Sequence, residues 1–160
     1  MNLLDIVYED FVNYKVPSLF LATCLCDFKC CKEANLLPTV CQNYSLKNGE
    51  TRLFDNYELI RSYKTNPITK AIVFGGLEPM LQYEEVFRFV EMFRFSQLDD
   101  DIVIYTGYDK DEILSQVQLF KIHKNIVFKF GRWIPNCEPH FDETLGVNLA
   151  SPNQYGERIS

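Results

Sequence analysis

The sequence has no uninterrupted run of about 18 apolar residues, which argues against a membrane-spanning helix. It has no surplus of basic residues either: 16 Lys plus Arg stand against 22 Asp plus Glu, for a net charge of -6. Such a balance gives little with which to neutralise a phosphate backbone, so nucleic acid is not an expected partner. The first residues, Met1-Asn-Leu-Leu-Asp-Ile-Val-Tyr-Glu-Asp10, are acidic where an export signal is basic, so a soluble, cytoplasmic protein is expected. Internal repeats and low-complexity segments are absent. What remains is 160 residues, 47% hydrophobic and 24% charged, the profile of one ordinary globular domain spanning 1–160.

Cysteine is the residue most unevenly distributed. Five of the six fall between Cys24 and Cys41, including the adjacent pair Cys30 and Cys31. Disulfide frameworks usually spread their cysteines, and a chain this long can bury a core without them, so a local metal or cluster site is the better reading. Cys26, Cys30 and Cys41 can present three thiolates from one loop. On a four-iron cluster that leaves one iron open to a ligand, whereas a fourth thiolate from Cys24 or Cys31 would close the site for electron transfer or structural zinc. The spacings do not match the Cys-x2-Cys knuckles of zinc ribbons, and spacing alone does not choose between open and closed.

Four short apolar segments read as strands: Pro17–Thr23, Lys70–Phe74, Asp101–Thr106 and Asn125–Phe130. They lack polar alternation, as parallel strands buried on both faces do. Tyr83–Phe95 carries Val86, Phe89, Val90 and Phe93 at helical spacing, and Asp109 with Glu112 makes a capping-box start ahead of Ile113, Val117 and Phe120. Asn56–Tyr63 reads as a shorter helix and Asn2–Tyr14 as a lead-in helix; residues 133–160 read as an irregular tail folded back on the domain. Strand and helix in alternation predict an α/β fold with a parallel sheet and right-handed crossovers. Eight such units take roughly 250 residues, so the expected architecture is an incomplete parallel β/α barrel or an open curved sheet, with its site at the strand C-terminal ends. The cysteine loop, Gly75-Gly76, Thr106-Gly107 and Gly131-Arg132 each follow a strand and so converge on one edge.

At that edge Gly75-Gly76-Leu77-Glu78-Pro79 combines glycines that allow close backbone approach with a carboxylate able to accept from an ammonium group. The same residues also suit an ordinary helix start. Cys137 and His140 share a two-residue gap but lack a second ligand pair, and the Asp99–Asp101 run lacks the further oxygens of a calcium loop. His123 is expected in an exposed connection and Trp133 to pack the tail.

Cys26-Asp-Phe-Lys-Cys30 resembles the opening of the radical S-adenosylmethionine motif, and Cys41-Gln-Asn43 resembles its close. Gly75-Gly76-Leu77-Glu78-Pro79 is similar to the Gly-Gly-Glu-Pro turn that holds the methionine amino group. Asp10-Phe-Val-Asn13, Ile104-Tyr-Thr-Gly-Tyr108, Phe130-Gly-Arg-Trp133, Ser151-Pro-Asn-Gln154 and Arg158-Ile159 resemble, in order, elements of the anaerobic ribonucleotide reductase activating proteins. Relative to that family, Glu33 stands where the third cysteine is expected, Leu77 splits the glycine motif, Val40 replaces an aromatic and Lys129 replaces an acidic residue.

The resemblance implies a radical S-adenosylmethionine-like partial barrel that binds a [4Fe-4S] cluster and S-adenosylmethionine. Cys26, Cys30 and Cys41 would ligate the cluster, with Cys31 and Cys24 as alternates. Gly75, Gly76, Glu78, Pro79, Asn43, Thr106, Lys129 and Arg132 would contact the cofactor, although Lys129 and Arg132 read slightly better as a solvated pair at the rim. The implied activity is reductive cleavage of S-adenosylmethionine to generate a glycyl radical on a large reductase subunit, with flavodoxin or ferredoxin as electron donor. Two other functions fit parts of the pattern. A small-molecule enzyme like the 7-carboxy-7-deazaguanine synthases would share the Gly-Gly-x-Glu-Pro-Met-Leu-Gln82 stretch, and a non-catalytic iron-sulfur adaptor or electron carrier would use four thiolates.

Overall fold

Apolar residues at both odd and even positions of the central strands give the sheet a core on each face. In the computed structural model, which describes residues 1–160, the strands are β1 (Asn2–Leu3), β2 (Asp5–Asp10), β3 (Ser18–Thr23), β4 (Arg52–Leu53) and β5 (Ala71–Gly76). They continue with β6 (Asp101–Tyr105), β7 (Ile126–Phe130), β8 (His140–Asp142), β9 (Val147–Leu149) and β10 (Tyr155–Arg158). The helices are α1 (Lys29–Glu33), α2 (Asn56–Thr65), α3 (Tyr83–Phe95) and α4 (Leu114–Phe120).

A six-stranded sheet in the order β10-β7-β6-β5-β3-β2 forms the centre. β3, β5, β6 and β7 run parallel, with Val73 opposite both Phe20 and Val103 and with Val103 opposite Val127. Each successive strand is added beside the last. Ile72, Phe74, Ile102, Ile104, Ile126 and Phe128 pack with Leu59, Phe89, Val90, Phe93, Val117 and Phe120, so α2, α3 and α4 cover one face. On the other face Ala71, Val73, Val103 and Val127 pack with Tyr14, Leu145 and Leu149, which come from the entry loop and the tail. No helix is long and apolar enough to cross a membrane.

The capping box forms as its sequence predicts, with Asp109 opening a 3-10 turn that runs into α4. Asp55 caps α2 by accepting from Tyr57 N at 2.7 Å. Three expectations are corrected. The segment Asn2–Tyr14 is not a helix: β2 pairs antiparallel with β3, and β1 pairs with β4. The spacing of Leu3, Ile6, Val7 and Phe11 is compatible with a helix, but the unpaired edge of β3 offers backbone partners that override so weak a local preference. The tail is not irregular, because β8 and β9 form a hairpin and β10 adds antiparallel to β7. Consequently the sheet is mixed, with a parallel centre closed at each edge by an antiparallel strand. His123, expected to be exposed, is half-buried with its ring 5.4 Å from that of Phe87.

The return of the tail depends on the turn after β7. Gly131 has φ of 95°, and a Cβ there would stand 2.6 Å from the Asn153 carbonyl oxygen. Only glycine lets the two segments meet that closely. Ser151 holds the same junction, donating to Ile134 O at 3.1 Å and accepting from Ile134 N at 2.7 Å. Gln154 accepts from Ser151 N and Asn153 donates to Arg132 O. The Ser-Pro-Asn-Gln stretch is thus a latch that fixes residues 131–134 beyond β7.

Candidate metal centre at the C-terminal edge of the parallel strands

Parallel strands end together, so the loops that follow β3, β5, β6 and β7 surround one cavity of about 550 Å³ on the face opposite the helices. Cys26, Cys30, Cys41, Asn43, Gly75, Gly76, Glu78, Thr106 and Lys129 line it. Cys24, Cys31, Pro79 and Arg132 do not. The tail contributes Asn148, Ala150 and Gln154, β2 contributes Asp5 and Val7, and Trp133 reaches the same wall instead of only packing the tail. Asp5, Val7 and Asn148 were not legible as site residues because only edge pairing and the returning tail carry them there.

The cysteine loop leaves β3 at Cys24. Its thiol turns away from the cavity toward Gln82 Oε1, 3.4 Å away, and its N–H donates to the same oxygen. Phe28, with φ of 54°, starts α1 and is buried against the ring of Tyr44, 5.8 Å away. α1 carries Cys30 toward the cavity and Cys31 into the interior, where it is 1% exposed. A 3-10 turn at Pro38–Val40 then brings Cys41 back. The sulfurs of Cys30, Cys31 and Cys41 lie within 4.8 Å of one another. Burial pushes the Cys26 thiol up to about 11 and the Cys30 thiol up to about 12, the latter raised further by Cys31 and Cys41. Burial also raises Cys24 and Cys41. A thiol must lose its proton to ligate a cation, and burial of Cys26 and Cys30 opposes that loss.

Each residue between Cys26 and Cys30 ties the loop down. Asp27 accepts from the Tyr108 hydroxyl at 3.0 Å, Phe28 is buried, and Lys29 pairs with Glu112 while lying 5.4 Å from the Tyr108 ring centroid. Asn43 Nδ2 donates to Gly76 O at 3.0 Å, joining the far end of the loop to β5.

Glu78 joins the β5 and β6 ends. Its Oε1 accepts from Met80 N at 3.0 Å and from Thr106 Oγ1 at 2.7 Å, and its Oε2 accepts from Gly107 N at 2.8 Å. Burial raises this carboxyl above its ordinary value and the three donors oppose that rise. Pro79 begins the 3-10 turn behind it and is buried outside the cavity. Gly76, at φ of 84°, would place a Cβ 3.0 Å from Ala22 Cα.

Lys129 and Arg132 are not the solvated rim pair that the sequence allows. Lys129 is 7% exposed and donates to Gly131 O at 2.8 Å; burial pulls its ammonium down to about 8. Arg132 is 9% exposed and bridges the cysteine loop to α4's approach turn. It donates to Glu112 at 2.6 and 2.7 Å, to Asp109 at 3.2 Å and to Glu33 at 3.0 Å. These carboxylates engage its guanidinium, so Arg132 orders the walls of the site from outside the cavity. The structure does not gather Cys137 and His140 into any group of three or more metal-ligating side chains.

No curated protein and no solved structure matches this chain. One family does, described as a 4Fe-4S single cluster domain, over residues 15–138. That span contains the whole cysteine loop and all four parallel strands. A soft donor set on one cavity suits iron and sulfide chemistry. On the strength of that match the chain belongs to the 4Fe-4S single cluster domain family, the iron-sulfur proteins that carry one such cluster.

Proposed function

We propose that this protein cleaves S-adenosylmethionine reductively at a [4Fe-4S] cluster and so generates a glycyl radical on a partner enzyme, as the anaerobic ribonucleotide reductase activating proteins do. One observation carries the reading: three cysteines, a Gly-Gly-x-Glu turn, a buried threonine and a buried lysine from four successive strand ends share one cavity. Its volume of about 550 Å³ is that of a small-molecule site. We read the sheet, with sequential parallel strands and all its long helices on one face, as the arc of an unclosed barrel.

In this reading Cys26, Cys30 and Cys41 would hold the cluster, three thiolates for four irons. When bound, such a cluster would supply the electron for breaking the sulfonium bond of S-adenosylmethionine, the chemistry from which hydrogen abstraction at the target would follow. The chain's own residues bind and orient. Gly75 and Gly76 bring backbone close to the methionine end. Glu78 already accepts three hydrogen bonds and a carboxylate has about four acceptor directions, which leaves one for the cofactor's ammonium. Lys129 has an N–H beyond those given to Gly131 and Thr106 for the carboxylate or ribose. Arg132, through Glu33, keeps the cysteine loop in place. The target is a glycine of a large reductase subunit, with flavodoxin or ferredoxin as reductant.

The test is anaerobic reconstitution with iron and sulfide, followed by electron paramagnetic resonance of the reduced protein with and without S-adenosylmethionine. We expect a spectrum that shifts with the cofactor and release of 5′-deoxyadenosine, both lost in Cys41→Ala and kept in Cys31→Ala. A cluster that forms but ignores the cofactor would sink the proposal and favour a four-thiolate adaptor, the reading that the nearness of Cys31 supports.

A further inference from the structure

Cys31 has no part in the proposed cluster, yet its sulfur lies 4.0 Å from that of Cys30, and Cys41 completes a group whose sulfurs are all within 4.8 Å. Thiolates bonded to a single tetrahedral zinc at about 2.3 Å stand about 3.8 Å apart. Thiolates on different irons of a four-iron cluster are separated by a metal-metal edge as well as two metal-sulfur bonds, so they stand farther apart. The spacing of this trio is therefore closer to that of one ion. The donor set is sulfur alone, with no carboxylate or imidazole in the group, which selects soft cations over magnesium or calcium. Local structure sets the spacing: α1 presents Cys30 and Cys31 consecutively, and the Pro38–Val40 turn returns Cys41 to them.

We propose that Cys30, Cys31 and Cys41 form a mononuclear site for a thiophilic divalent cation, zinc or ferrous iron. Binding forms three metal-sulfur bonds and releases the thiol protons to solvent. Cys30 and Cys41 line the cavity and Cys31 lies behind them, so the fourth coordination position opens to the cavity. The site shares Cys30 and Cys41 with the proposed cluster, and the two occupancies exclude each other. Cys31 belongs to the single-ion site alone and Cys26 to the cluster alone. Nothing in this assignment depends on S-adenosylmethionine.

The experiment titrates reduced, metal-free protein with cobalt(II) chloride under anaerobic conditions. One equivalent is expected to saturate a sulfur-to-cobalt charge-transfer absorption with tetrahedral visible bands, and zinc is expected to abolish both. In Cys31→Ala and in Cys31→Ser the cobalt affinity falls at least about tenfold, while Cys26→Ala binds as wild type. Circular dichroism checks folding, and the serine variant, closer to cysteine in size, decides if alanine at this buried position unfolds the chain. Iron-sulfide reconstitution reads the cluster separately: zinc-loaded wild type resists it, and zinc-treated Cys31→Ala accepts it. Absence of the charge-transfer band in wild type, or cobalt binding in both Cys31 variants as tight as in wild type, overturns the proposal.

Discussion

Glu78 and Thr106, from different strand ends, are joined by a 2.7 Å hydrogen bond inside the protein. The same hydroxyl accepts from Tyr108 N at 3.0 Å, so one threonine orders the β6 turn and stabilises a carboxylate on the β5 turn. Thr106→Val keeps the shape and removes the hydroxyl. A buried oxygen then loses its partner, and the expected cost is about 1–3 kcal/mol, with most of it restored in Thr106→Ser. Urea unfolding measures this, and an unchanged midpoint in the valine variant would show that the pair does not matter.

Arg132 and Lys29 hold the Glu112 carboxyl down to about 2, from an ordinary 4.5. A carboxyl lowered on folding contributes stability above its ordinary value and loses it as pH falls toward the folded one. Glu112→Gln should therefore cost about 1 kcal/mol at neutral pH, a figure reduced for solvent around a partly exposed carboxylate. The gap between wild type and variant should close between about pH 4.5 and 2. Thermal midpoints measured across that range decide it; a gap independent of pH would mean that the ion pair contributes nothing.

Lys129 titrates in the opposite sense to a stabilising pair. Its folded value of about 8 lies below the ordinary 10.5, so the unfolded chain holds the proton more tightly between those values. The penalty for burying the charge is complete below pH 8 and is relieved as pH rises toward 10.5. The stability of metal-free wild type relative to Lys129→Met should thus increase by about 1–3 kcal/mol across that window. A flat difference would place the ammonium in contact with water.

The cysteine loop and the core are largely independent. Between Cys24 and Thr51 only Phe28 and Cys31 are buried, while both faces of the sheet are packed by other segments. Metal-free protein should keep its circular dichroism spectrum. Its amides from 24 to 49 should exchange hydrogen well before those of β3, β5, β6 and β7, and cluster loading should slow them. Global unfolding on metal removal would refute this.

The local signals explain which parts of the fold were legible. β3, β5, β6 and β7 were found nearly at their observed ends because an apolar run bounded by glycine or proline specifies a buried strand within a few residues of itself. α3 was found at its observed ends, Tyr83–Phe95, because Val86, Phe89, Val90 and Phe93 repeat at helical spacing. The gathering of Cys26, Cys30, Cys41, Gly75, Glu78 and Thr106 followed from parallel order, since every loop after a strand reaches the same edge. β2 and β10 gave no comparable signal. An edge strand is specified by the unpaired backbone it meets, and β3 and β7 lie outside their local windows.

The same limit governed single side chains. The sequence by itself determined which chemistry is available, because five cysteines in one short stretch provide soft ligands wherever the loop lies. Only the tertiary structure decided how the residues are used. It turned Cys24 toward Gln82, set Cys31 beside Cys30 and Cys41, and engaged Arg132 with Glu33 and Glu112. Those outcomes depend on distances of a few ångströms between residues far apart in the chain, and such distances are fixed by packing.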